Sequence, residues 1–71
     1  MTDYTAPNNS RVLVVTPTYN ERDNLPILAE AVLARPGYRM LVVDDNSPDG
    51  TGAIADQLSA ASNGRLMVMH R

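Results

Sequence analysis

Cysteine is absent from the 71 residues. This excludes disulfides and thiolate metal sites, two of the usual ways a small domain makes up for a small core. No run approaches the ~20 apolar residues of a membrane span, so no membrane helix is expected. Residues 1–10, Met1 to Ser10, are polar and lack the charged start and apolar centre of a signal peptide. They are expected to form a flexible N-terminal arm and the chain to remain cytoplasmic. Long basic runs are missing too: Arg11, Arg22, Arg35, Arg39, Arg65 and Arg71 are dispersed and the net charge is −2. A nucleic-acid partner is therefore not expected, and a small-molecule ligand is. A chain of this length buries only ~60% of the surface it exposes when unfolded. Marginal stability and self-association through an unpaired sheet edge are the expected consequences.

Three short apolar clusters are present. Val12 to Val15, ended by Thr16-Pro17, suits a strand covered on both faces, and Met40 to Val43 and Leu66 to Met69 repeat the pattern. Between the first two, Leu25, Leu28, Ala29, Val32 and Leu33 form the stripe of an amphipathic helix. Asp23 or Asn24 can cap it, Pro26 fits its first turn, and Pro36-Gly37 stops it. A second helix is predicted from Thr51 to about Ala61, with Thr51 as cap, Ile54, Leu58 and Ala61 inward, and Asn63-Gly64 as terminator. The order strand, helix, strand, helix, strand over residues 11–71 implies α/β architecture with parallel strands and right-handed crossovers. Ligands of such sheets bind beyond the carboxyl ends of the strands, where Thr16 to Glu21 and Asp44 to Gly50 both fall.

Asp44-Asp45-Asn46-Ser47-Pro48-Asp49-Gly50 places an acidic pair after a strand, then a turn. Pro48, Asp49 and Gly50 read as turn residues. An EF-hand calcium loop is excluded by the preceding strand, by Pro48 and by Asp56 at the place of the final Glu. A haloacid-dehalogenase-type phosphatase fails because Asn46, not Asp, stands two places beyond Asp44. A receiver-like module holding magnesium on Asp44 and Asp45 remains open, although its acidic strand would come first in the domain. In Thr16-Pro17-Thr18-Tyr19-Asn20-Glu21, Pro17 and Tyr19 offer an apolar wall and aromatic surface for a base. Glu21 can accept two hydrogen bonds from a ribose diol. No Gly-x-Gly-x-x-Gly follows Val15 and no Gly-x-x-x-x-Gly-Lys occurs. A diphosphate here would need a metal or distant basic groups to neutralise it.

Val14-Val15-Thr16-Pro17-Thr18-Tyr19-Asn20-Glu21-Arg22-Asp23-Asn24-Leu25, followed by Val42-Val43-Asp44-Asp45-Asn46-Ser47-Pro48-Asp49-Gly50-Thr51, resembles the family-2 glycosyltransferases of GT-A fold, in particular the dolichol- or polyprenol-phosphate mannose synthases. The resemblance implies the N-terminal half of a Rossmann-like nucleotide-sugar-binding domain. It also implies transfer of mannose from GDP-mannose to a polyprenyl or dolichyl phosphate, with inversion, at the cytoplasmic face of a membrane. Pro17 and Tyr19 would border the nucleoside, Glu21 would meet the ribose, and Val43 and Asp45 would approach the base. No catalytic residue or metal ligand is expected among these residues: in the family, Mg2+ or Mn2+ is held by a downstream Asp-x-Asp that this sequence lacks. The 71 residues alone are thus expected to be inactive. Another donor, such as UDP-glucose, stays open within the same family.

Overall fold

The computed structural model describes residues 12–71. The expected arm, 1–10, and Arg11 lie outside the described residues. The elements are β1 (Val12–Thr18), α1 (Leu25–Leu33), β2 (Tyr38–Asp44), α2 (Thr51–Ala60) and β3 (Leu66–His70). Their strands form one parallel sheet in the order β1-β2-β3. The chain is thus the small α/β unit that the alternation of apolar clusters and helical stripes implies.

The strand expectation is corrected in two respects. β1 does not stop at Val15 but continues through Thr16, Pro17 and Thr18. Pro17 removes a donor, which an edge strand tolerates because its alternate N–H groups face away from the neighbouring strand. Nor is the sheet covered on both faces. Both helices pack on one side, where Leu25, Ala29, Met40, Val42, Ala55 and Leu66 are buried together and Val32, Leu33, Leu58 and Val68 pack against them. On the other side Leu13, Val15 and Met69 are 49–57% exposed. Period-2 alternation along β1 follows from this one-sided cover.

The helix boundaries agree with the stripes, but the caps differ. Asn24 occupies the N-cap of α1 without a side-chain cap bond; its Nδ2 instead donates to Glu21 Oε1 at 3.1 Å. Leu28 lies at the margin of the stripe, 41% exposed. Thr51 is not the cap of α2 but its first residue, and the cap position belongs to Gly50 at φ 92°, a left-handed conformation that a residue with Cβ enters only at a cost. Inward on α2 are Thr51 and Ala55, not Ala61, which is exposed. With α2 starting at Thr51, Ala55 falls one turn on and meets the sheet, whereas Ala61 lies past the last turn.

Candidate functional site

β1 and β2 run side by side with Thr16 opposite Val42, Pro17 opposite Val43 and Thr18 opposite Asp44. The Asp45 N–H donates to Thr18 O at 3.1 Å, so the pairing reaches one residue past β2. Both unusual segments therefore leave the sheet at the same end and at the same level. Pro17 and Val43, the proposed wall and base contact, are register partners on the face without helices. Tyr19 follows, 56% exposed. Glu21 is half-buried before α1, where its backbone carbonyl accepts from Leu25 N–H at 2.8 Å and from Asn24 N–H at 3.1 Å. Asp45 is exposed, and its carboxylate has no bonding partner among the described residues.

Pro17 and Glu21 share a cavity of about 210 Å³ with Thr16, Thr18, Asn24 and Leu28. Tyr19, Val43 and Asp45 stand outside that cavity. A larger concavity of about 620 Å³ lies between α1 and α2, lined by Ile27, Leu33, Leu58 and neighbours. It has few groups suited to chemistry and lies away from both loops.

The acidic pair is divided by the strand end. Asp44 is the last residue of β2 and only 2% exposed, so it is an inward group rather than a companion of Asp45. Its Oδ1 accepts from Thr18 Oγ1 at 2.8 Å and from Ser47 Oγ at 2.6 Å, and its Oδ2 accepts from the Ser47 N–H at 3.0 Å. Burial pushes the carboxyl up, but the Ser47 hydroxyl and N–H, the Thr18 hydroxyl and the charge of His70 outweigh it and hold Asp44 below its ordinary value. With its oxygens engaged in this way, Asp44 does not join Asp45 in the paired-acid arrangement that a receiver-like magnesium site requires.

Asp49, which reads as a turn residue, has a second role. Its Oδ1 accepts from the Thr51 N–H at 2.9 Å and from the Thr51 hydroxyl, and its Oδ2 from the Arg22 N–H at 3.2 Å. The Thr51 hydroxyl bond chiefly holds its carboxyl low, against a smaller effect of burial. Thr51 Oγ1 in turn accepts from the Glu21 N–H at 3.0 Å, and Ser47 Oγ from the Asn20 N–H at 3.1 Å. Sequence reasoning missed Thr18 as a partner of Asp44, and Ser47, Asp49 and Thr51 as partners of the first loop. The only local signal was the density of hydroxyl and carboxylate side chains in Ser47 to Thr51, which also suits an ordinary turn.

Gly52 completes the floor. A Cβ there would lie 3.1 Å from Asp44 Oδ2 and 3.2 Å from His70 Cε1. His70 is itself tied through Nε2 to Asp56 Oδ1 at 2.8 Å. Elsewhere in a helix, Gly→Ala gains ~1 kcal/mol. Gly52→Ala is expected to lose that gain and to destabilise the protein, because Asp44 cannot retreat without releasing its donors. Urea unfolding of the two proteins is the check, and a stabilised variant would contradict the packing described.

Among the described residues no group of three or more His, Cys, Asp or Glu side chains could hold a metal ion, and no helix is long and apolar enough to cross a membrane. The Mg2+ or Mn2+ that the resemblance implies was expected on a downstream Asp-x-Asp and not on these side chains.

Residues 13–71 match the family model for Glycosyl transferase family 2. A polyprenol monophosphomannose synthase of Mycolicibacterium smegmatis is 58% identical over 62 residues, covering 86% of this chain and 23% of that protein. An undecaprenyl-phosphate mannosyltransferase of Micrococcus luteus is 50% identical over 62 residues, covering 86% of this chain and 25% of that protein. A dolichol-phosphate mannosyltransferase of Pyrococcus furiosus is 45% identical over 53 residues, covering 70% of this chain and 15% of that protein. The chain thus spans about a quarter or less of the length of these relatives. No solved structure matches it.

Proposed function

We propose, from the premise that this chain belongs to glycosyl transferase family 2, that it forms the nucleotide-binding part of an enzyme transferring mannose from GDP-mannose to a polyprenyl phosphate. The observation that carries the reading is the meeting of two loops at the carboxyl ends of adjacent parallel strands, one bearing Tyr19 and Glu21 and the other Asp45. In such sheets this is where nucleotides bind. The acceptor class is drawn from the names of the three relatives given above, a polyprenol monophosphomannose synthase, an undecaprenyl-phosphate mannosyltransferase and a dolichol-phosphate mannosyltransferase.

In this reading Pro17 and Tyr19 border the nucleoside, and Glu21 accepts hydrogen bonds from the ribose diol. Val43 lies beside the base, and the Asp45 carboxylate accepts from the N–H edge of guanine. These residues bind and orient the donor. An oxygen of the acceptor phosphate forms the new bond to the anomeric carbon, the bond from that carbon to the diphosphate oxygen breaks, GDP leaves, and the carbon inverts. An acceptor phosphate is ionised near neutral pH, so the attacking group needs no strong general base, and alignment of the two reactants becomes the main demand on the protein. None of the described side chains takes part in that exchange of bonds. Mg2+ or Mn2+ would be held by residues outside these 71. The lipid acceptor places the reaction at a membrane, at its cytoplasmic face in this reading.

The test is a donor panel on the full-length protein with a polyprenyl phosphate acceptor. Mannosyl-phosphoryl lipid formed from GDP-mannose at least tenfold faster than glucosyl lipid from UDP-glucose is the expected result, a margin on the scale of one base-edge hydrogen bond to a charged group. Preference for UDP-glucose would keep the family and refute the donor.

A further inference from the structure

We infer that Ser47, Asp49 and Thr51 are positioning residues that set where Glu21 stands relative to Asp45, a role that rests on the nucleotide-site reading above. Three successive backbone N–H groups of the first loop, those of Asn20, Glu21 and Arg22, donate to three side chains of the second, Ser47 Oγ, Thr51 Oγ1 and Asp49 Oδ2, at 3.1, 3.0 and 3.2 Å. Two of these acceptors, the hydroxyls, are each backed by a carboxylate, and the third is a carboxylate oxygen itself. The Ser47 hydroxyl donates onward to Asp44, and the Thr51 hydroxyl to Asp49. This onward donation aims the hydroxyl lone pairs at the N–H groups and makes each hydroxyl a better acceptor.

The strap binds a segment that would not hold its own shape. Asn20 sits at φ 56° and Asn46, in the opposing loop, at φ 54°, left-handed conformations that asparagine enters more readily than other residues with a Cβ, though still at some cost. No backbone ladder reaches Asn20, Glu21 or Arg22, since β1 ends at Thr18 and α1 begins at Leu25. Their N–H groups are held by side chains whose positions follow β2 and α2. Glu21 is thereby fixed at its backbone by Thr51, the buried first residue of α2, while Asp45 is fixed two residues before Ser47 on the same loop. The two nucleoside-binding carboxylates are built on one frame, and Ser47, Asp49 and Thr51 set the distance between them without touching the ligand.

The test uses the full-length protein and calorimetry with GDP and 2′,3′-dideoxyguanosine diphosphate. Thr51→Val, which keeps the shape and removes the hydroxyl, is expected to weaken GDP binding about tenfold, the scale of one lost hydrogen bond to a fixed group. It should weaken binding of the dideoxy analogue about twofold or less, and Thr51→Ser should restore GDP binding. Asp49→Asn, which preserves the buried Thr51 side chain, serves as a second variant should Thr51→Val fail to fold, and should show the same selectivity for the diol. Combined with Glu21→Ala, either variant should cost little more than Glu21→Ala alone, a sub-additivity that a merely structural weakening would not produce. Equal losses for GDP and the analogue, full additivity with Glu21→Ala, or no rescue by Thr51→Ser would overturn the positioning role. Unchanged GDP affinity in Glu21→Ala itself would instead overturn the nucleotide-site reading, and the positioning role with it.

Discussion

Glu21→Ala and Asp45→Ala in the full-length protein are each expected to weaken GDP binding roughly ten- to a hundredfold, with different patterns across analogues. Removing a charged acceptor leaves its donor partners unpaired, a loss of ~1.5–3 kcal/mol, and each 1.4 kcal/mol is about tenfold in affinity. Asp45 is exposed and its carboxylate has no partner within the described residues, so nothing in the unliganded protein offsets the loss. Among the described residues the Glu21 side chain accepts only from Asn24 Nδ2, a bond that an alanine variant gives up to water at small cost. Glu21→Ala should lose affinity similarly for any ribonucleotide donor and much less for a 2′,3′-dideoxyribose analogue. Asp45→Ala should blunt discrimination between guanine and other bases. Calorimetry with GDP, UDP and the dideoxy analogue separates the two, and unchanged affinities in both variants would remove the nucleotide site.

Asp44→Ala is expected to be the more damaging change to the fold. It strips an acceptor from the Thr18 hydroxyl, the Ser47 N–H and the Ser47 hydroxyl at once, in a region where no buried side-chain polar atom among the described residues lacks a partner. Each stranded donor costs ~1–3 kcal/mol, so a loss of about 3 kcal/mol or more is expected. That is a large share of the ~5 kcal/mol at the low end for whole domains. Asp44→Asn keeps the shape but offers one acceptor oxygen and should lose less. The pH dependence has a definite sign. Because the folded carboxyl of Asp44 lies below its ordinary value of 3.8, its contribution is present above pH 3.8 and is lost as pH falls through the lower, folded value. Asp49 acts in the same direction. Urea unfolding at pH 7 and near pH 3 should therefore show wild type approaching Asp44→Asn in stability as pH falls. A constant difference between the two proteins across that range would contradict the charge-assisted bonds at Asp44.

Much of the fold was legible because its code is local. The apolar clusters ending near Val15, Val43 and Met69 and the stripe from Leu25 to Leu33 state their elements by period and composition. The turn at Asn63-Gly64 declares itself through two left-handed positions. Pro17 misled, because a proline ends a central strand and yet is tolerated at an edge, and which strand is an edge is not a local property. Ala55 was overlooked for a similar reason. A small residue carries little hydrophobic signal, and its burial depends on where the helix meets the sheet.

By itself the sequence determined the α/β order and the two chemistry-bearing segments, since strand runs, helix stripes and the residues of each loop are written within a few positions of one another. Only the tertiary structure decided how those segments work. It turned Asp44 inward and left Asp45 outward, because adjacent residues at a strand end point to opposite sides. It also joined residues 27 to 30 positions apart into one frame. The parallel register of β1 on β2 brings the Asn20 to Arg22 N–H groups to the Ser47, Thr51 and Asp49 oxygens, and no local pattern contains that register.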